Sequence, residues 1–338
     1  MITTRQNFEL SSVTTFAIPA KCGCYIEYDC PEDIPFILST LRPDVDFIHI
    51  GGGSNLLFTS DFPGVVVHSA IKGIEVIDET PSEVKVMVGA GEKMDDFILW
   101  ACDRRLWGIE NLSGIPGEVG ASAVQNVGAY GSEAADAIVE VNAYDREREE
   151  FVTIECNDCH YGYRDSIFKR QELRGCMIIH SVVYRLSKEP KPNINYPALK
   201  HLFPTPPSTP SQVREAVINV RNSKLPDPTE VPSAGSFFKN PVVSNEQLEH
   251  VIEVEGNDSF PHFNTEGGWK IPAAWLIDRC GWKGHRSGNV AVWHLQPLVI
   301  INPDRNATAS EVLDLENAIK ASVRERYGIT LNPEVEHI

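Results

Sequence analysis

The chain has 338 residues, 42% hydrophobic and 23% charged, which is enough for about two domains of ordinary soluble composition and gives no sign of disorder. A formal net charge of −17 repels nucleic acid and anionic membrane surfaces and counts against either as a main partner, so any phosphate-bearing ligand needs a local cluster of cations. Residues 1–16 lack the apolar core of a signal peptide and no run approaches the ~18 apolar residues of a membrane span, so a cytoplasmic protein is expected.

The first half reads as strands separated by glycine. Asp46–Ile50, Gly64–His68, Ile74–Ile77 and Val84–Val88 are extended by β-branched content or alternation. Between Lys93 and Trp107, Met94, Phe97, Ile98 and Ala101 follow a helical repeat that Gly108 can end. Strands return at Ile138–Tyr144 and Met177–Leu186, which is α+β texture and not a βαβ alternation. Prolines crowd residues 188–210, the mark of a connection or mobile loop. A helix follows, with Thr209 placed to cap it, Pro210 in its first turn, Gln212 closing a capping box and the sequence Leu225-Pro226-Asp227-Pro228 stopping it. The last helix runs from about Ala309 to Tyr327, opened by Thr308 with Glu311 and closed by Gly328.

Eight cysteines without an export signal read as free thiols. Cys156-Asn157-Asp158-Cys159-His160 spells a c-type haem attachment string, but that chemistry belongs to exported chains, and no second pair follows at zinc-ligand spacing. No metal is expected.

Two glycine-rich stretches could hold a ligand. Gly51-Gly52-Gly53-Ser54-Asn55 follows a strand and lets backbone N–H groups approach a phosphate, although it matches neither a dinucleotide fingerprint nor a P-loop and could be a plain tight turn. Ser113–Gly131 has little bulk and many backbone donors, which suits either a flat polar cofactor or a small-residue packing strip. Two further strings put polar groups beside glycine and aromatics: Tyr161–Phe168 and Ala234–Pro241. The Arg164 guanidinium could grip a carboxylate through two hydrogen bonds or simply pair with Asp165, and the Ser236 hydroxyl could deliver a proton or shape a turn.

Taken together, Gly51–Asn55, Ile115-Pro116-Gly117, Gln125–Gly131, Gly162–Phe168, Lys224–Pro228, Gly235–Pro241, Trp275–Asp278 and Pro333-Glu334 resemble, in order and separation, the UDP-N-acetylenolpyruvoylglucosamine reductase family, a likeness running from about Phe16 to Glu334. The resemblance implies a two-lobed FAD-binding unit of the vanillyl-alcohol-oxidase type (residues 1–70 and 71–190), a connection with a mobile tyrosine loop (191–210), a smaller α/β substrate-binding domain (211–327) and a tail (328–338) carrying a catalytic glutamate. It assigns noncovalent FAD to Gly51, Gly52, Gly53, Ser54, Asn55, Ile115, Gly117, Gln125, Asn126, Gly128, Ala129, Tyr130 and Gly131. Arg164 and Glu334 would polarise the enolpyruvyl carboxylate of a UDP-sugar, Ser236 would donate the proton, and NADPH would be the reductant. Tyr196, Lys224 and Asn240 fit substrate contacts, with Arg221 a further cation for the diphosphate or a helix-end partner. No obligate protein partner is implied. Asn332 departs from the acidic residue that relatives often carry two places before the glutamate, and few residues follow Glu334 to position it. The competing readings are another flavin oxidase on the same cofactor fold, turning over with oxygen, and a non-catalytic sugar-nucleotide sensor.

Overall fold

The structure, a computed structural model, describes residues 1–42, 44–170, 173 and 175–338. Contacts divide it into two units: Met1–Phe8, Cys22–Gly52 and Pro63–Arg221 form the first, and Glu9–Lys21, Gly53–Phe62 and Asn222–Ile338 the second. The chain thus contributes two early segments to the second unit before entering it for good at Asn222.

The first unit is built on two sheets. One orders the strands Ile2–Glu9, Lys21–Tyr28, Phe62–Ser69 and Phe47–Ile50, the last two parallel. The other is antiparallel throughout, in the order Glu150–Glu155, Ile138–Asp145, Met177–Ser187, Glu83–Gly89 and Ile74–Glu79. Alternation explains its inner face: Val84, Val86 and Val88 are buried while Lys85 and Met87 are not, as period-two side chains require. The Met94–Asp103 helix packs Phe97, Ile98 and Ala101, all fully buried, into the same cluster.

That helix ends four residues before the expected stop at Trp107. Arg105 takes the left-handed conformation (φ 57°), and the N–H groups of Leu106 and Arg105 return to the carbonyls of Ala101 and Cys102, a Schellman closure in which arginine stands where glycine is usual. Leu106 and Trp107 are buried beyond it. The proline-rich stretch holds a turn of helix, Pro197–Lys200, whose Leu199 is fully buried against Trp107, Val213 and Val217. Val213 and Val217 come from the Pro210–Asn222 helix, where Gln212 Oε1 accepts from the Thr209 N–H as anticipated.

In the second unit the strands are only two to four residues long, too short for a sequence pattern to reveal. Ser233–Ser236, Val299–Ile301, Val290–Val292 and Arg286–Ser287 form one antiparallel sheet; Val242–Val243, Gly268–Lys270 and Phe263–Thr265 form another. Asn245–Glu255, Ala273–Arg279 and Ala309–Tyr327 are its helices. The last has the expected capping box, with Thr308 Oγ1 accepting from Glu311 N–H and the Glu311 carboxylate from Thr308 N–H. Gly328 (φ 66°) ends it, and Val312, Ile319 and Val323 are fully buried. The core these elements share also takes Phe16, Ile18 and Leu57 from the two early segments. Among the described residues no helix is long and apolar enough to cross a membrane.

Cys156–Cys159 is a single 3₁₀ turn, with Cys159 fully buried and Cys156 packed against the same core. Burial pushes the Cys159 thiol up to about 11 and raises that of Cys156, so both stay protonated, the form that neither ligates metal nor attacks. Changing both to alanine should therefore lower stability while leaving flavin content and turnover largely intact; loss of a stoichiometric metal or haem together with activity would contradict this.

Candidate active site

In the first unit the predicted residues converge around the Val119–Gln125 helix. Gly51 and Gly52 leave the Phe47–Ile50 strand, and a Cβ on Gly51 would come within 2.8 Å of Ala121 Cβ, so the loop lies against that helix. Gly117 carbonyl accepts from Met94 N–H, and Ile115 is partly buried against the core. Asn126 ends the helix in the left-handed conformation (φ 44°) and is 1% exposed. Its side chain is fully engaged: Nδ2 donates to Glu133 Oε2 at 2.7 Å and to the Gly162 carbonyl at 2.9 Å, and Oδ1 accepts from Ala135 N–H at 3.0 Å. Asn126 thereby joins the helix to the turn that carries Arg164.

That turn, Gly162 to Asp165, is closed by backbone bonds in both directions, with Arg164 at φ 55°. Arg164 Nη2 donates to the Gly128 carbonyl at 2.6 Å, which fixes the plane of the guanidinium. Space at Gly128 is tight, since a Cβ there would stand 2.9 Å from Arg164 Nη1 and 3.0 Å from the Ser132 carbonyl. Gly128–Ala129 pairs with Ser132–Glu133, and the hairpin between them puts Tyr130 and Gly131 at positive φ. Their carbonyls accept from Asn111 and Asn193 side chains at 2.9 and 2.8 Å. Tyr196 meets Tyr130 edge-on, ring centroids 5.4 Å apart, and remains 44% exposed. Arg221, largely desolvated at the end of its helix, lies by Gly114 and Tyr130. Arg214 anchors the same helix through two bonds to Asp95, at 2.5 and 2.7 Å.

The second unit holds the other predicted residues. Ser236 ends the Ser233–Ser236 strand opposite Val299, after Gly235 at φ 74°. The chain then runs antiparallel to the tail: Lys239 N–H donates to the Asn332 carbonyl at 2.9 Å and Glu334 N–H to the Phe237 carbonyl at 2.8 Å, with Phe238 bridging Pro333. Ser236 and Glu334 are thus set by one short ladder. Asn332 takes part through its backbone, a role open to any residue type. The residues after Glu334 are tied to the fold. Val335 is buried, and Glu336–His337 pairs in parallel with Leu56–Leu57. Asn55 serves this tail directly, donating from Nδ2 to the Glu334 carbonyl at 3.1 Å and accepting from Glu336 N–H at 2.9 Å. Gly53, at φ 60°, accepts from Thr15 N–H, and a Cβ on it would collide with the Val13 carbonyl. Ser54 follows in the same turn. Asn240 Oδ1 accepts from Ala273 N–H at 2.9 Å, and the exposed Lys224 offers its carbonyl to Trp293 Nε1.

The residues of the first unit fit FAD on two counts. The glycine loop leaves no room for a side chain at Gly51, and Gln125 Nε2 is a buried donor without an acceptor among the described residues.

Sequence reasoning missed a partly buried relay behind the loop. His68 Nδ1 lies 3.1 Å from Glu27 and Nε2 3.1 Å from Glu118, whose side chain would touch a Cβ on Gly52. Only the spacing of His68 in a strand with Glu27 in its neighbour hints at it. Burial disfavours the imidazolium, but Glu118 and Glu27 outweigh it and raise the His68 pKa. The other groups facing the ring are Tyr25, stacked at 6.3 Å, and His49. A raised folded-state pKa gives stability that is complete below about pH 6.5 and fades as pH rises through the folded value. His68→Gln should therefore be less stable than the parent at pH 6 in urea melts, with the gap narrowing toward pH 9. A gap constant with pH would mean the relay is uncharged.

Comparison with known proteins gives the family. The UDP-N-acetylenolpyruvoylglucosamine reductase C-terminal domain family matches residues 227–338, and the FAD binding domain family matches residues 24–154. UDP-N-acetylenolpyruvoylglucosamine reductase from Bacteroides fragilis is 43% identical over 98% of this chain and 99% of its own length. That from Porphyromonas gingivalis is 42% identical over 99% of each. In fold, the crystal structure of the reductase from Thermus caldophilus superposes with a TM-score of 0.68 at 21% identity, covering 100% of this chain and 98% of that one. With near-complete coverage at this identity, and both halves matched by their own domain families, the chain belongs to the UDP-N-acetylenolpyruvoylglucosamine reductase family.

Proposed function

We infer that Arg164, Ser236 and Glu334 carry out the family's reaction in this chain, the NADPH-dependent reduction of UDP-N-acetylglucosamine enolpyruvate to UDP-N-acetylmuramate, a precursor of peptidoglycan. The observation that carries the assignment is the ladder between Phe237–Lys239 and Asn332–Glu334, which gives a hydroxyl and a carboxylate a common rigid frame. Residues of the 1–70 and 71–190 lobes would hold FAD, which when bound would supply hydride received from NADPH.

Each residue then has one task. Arg164, its plane fixed by Gly128, meets the substrate carboxylate where negative charge grows as the double bond is reduced, and preorganised charge of that kind is worth most in the transition state. Glu334 polarises the same group. Ser236 Oγ–H delivers the proton to the α-carbon. Lys224 and Arg221 counter the diphosphate within a chain of net charge −17, while Asn240, its Oδ1 held by Ala273 N–H, and Tyr196, exposed beside Tyr130, contact the sugar nucleotide. The 211–327 region is then the substrate domain, 191–210 the tyrosine loop that closes over the nucleotide, and the cytoplasm, where NADPH and UDP-sugars are made, the site of action.

The test is NADPH oxidation followed at 340 nm with and without UDP-N-acetylglucosamine enolpyruvate. Turnover should require the sugar nucleotide. Because both ligands are large anions that must reach the same flavin atom, reciprocal plots should be parallel, with inhibition at high substrate. Oxygen-dependent turnover without it would favour an oxidase, and intersecting plots with a stable ternary complex would remove the shared cleft.

A further inference from the structure

The two ends of the Gln125 amide are in opposite situations. Its Oε1 accepts from Lys169 Nζ at 2.6 Å. An ammonium has only donors, so the atom facing it must be the oxygen, and the amide cannot be flipped. Nε2 therefore points the other way, where it is buried and has no acceptor among the described residues. Neighbouring polar groups are satisfied: Asn126 makes three bonds, Ser122 Oγ donates to the Val119 carbonyl, and Ser166 Oγ donates to the Val124 carbonyl. A buried donor left open beside Asn126, Ser122 and Ser166, each of which is paired, marks a place for a ligand acceptor.

Lys169 makes a second contact, donating to the Arg164 carbonyl at 3.3 Å. One cation thus holds both the amide and the turn that carries the guanidinium.

We propose that Lys169 is a positioning residue for the flavin: by fixing and polarising the Gln125 amide it aims Nε2–H at a carbonyl oxygen of the flavin pyrimidine ring, and so favours the electron-rich reduced form. This rests on the assignment of the Gln125 region to FAD. The physical basis is that a cation bonded to the amide oxygen makes the opposite N–H a stronger donor, and that such a bond tightens as negative charge builds on its acceptor.

The experiment measures the flavin midpoint potential, by equilibration with a reference dye, and the FAD dissociation constant, by fluorescence quenching. Lys169→Met should lower the potential and weaken FAD binding by roughly tenfold or more. Lys169→Arg should restore most of both, and Lys169→Met should add little in a Gln125→Ala background. An unchanged potential in Lys169→Met, or the full shift persisting without Gln125, would overturn the proposal. Should Lys169→Met misfold, Gln125→Glu carries the test, since it keeps the lysine contact but replaces the donor with an acceptor; potential and affinity should fall, and no change would be decisive against us. A wild-type protein that binds no FAD would instead refute the cofactor assignment itself.

Discussion

Ser236→Ala should leave NADPH bleaching of the yellow protein at nearly the parental rate, while the return of colour on adding UDP-N-acetylglucosamine enolpyruvate slows about 10²–10⁴-fold, the usual cost of removing a positioned general acid. The two half-reactions ask different things of the site. Reduction by NADPH needs no proton at a substrate carbon; the second step does. The residue ends a strand, and Phe237 N–H is bonded to the Leu298 carbonyl, so removal of one oxygen should not disturb the backbone. Cysteine, a donor of similar size, should recover part of the rate. Stopped-flow traces decide the matter: equal slowing of both phases, or a normal second phase, would make Ser236 a turn residue and move the proton source elsewhere.

A chain ended after Glu334 should lose about 10²-fold in the second half-reaction, the scale of an ångström of misplacement, and should also melt earlier. Four anchors leave with those residues. Val335 is a buried side chain, worth about 1.5–3 kcal/mol. Glu336 N–H and Ile338 N–H donate to the carbonyls of Asn55 and Leu57, and Thr59 donates to the Ile338 carbonyl from both its N–H and its hydroxyl. Glu334→Gln provides the contrast: it should lose activity with its melting temperature nearly unchanged. If the shortened chain turned over at the parental rate, the tail strand would have no part in placing Glu334.

Much of the first unit was legible because its strands are long and their valines alternate, so Ile74–Glu79, Glu83–Gly89 and Met177–Ser187 appear close to where the pattern put them. The Ala309–Tyr327 helix was legible at both ends, since Thr308 with Glu311 and Gly328 are local signals. What escaped depends on distant partners. The Met94–Asp103 helix closes on an arginine in a conformation that local preference gives to glycine, a choice made by burial of Leu106 and Trp107. Ser236 and Glu334 were named by resemblance, but the ladder that unites them spans almost a hundred residues of sequence and has no periodic signature. The acceptor role of Lys169's partner, Gln125, and the His68 relay likewise exist only in three dimensions.

The early segments Glu9–Lys21 and Gly53–Phe62 also constrain how the molecule can be made. Phe16 and Leu57 are core residues of the second unit, and Leu56–Leu57 is the strand against which the final residues pair. During synthesis these segments are made before the residues from Asn222 onward that complete their core. A fragment beginning at Asn222 would lack the strand that orders its tail and would expose the apolar surface that Phe16, Ile18 and Leu57 cover, so it should be insoluble alone and be rescued by co-expression with residues 1–221.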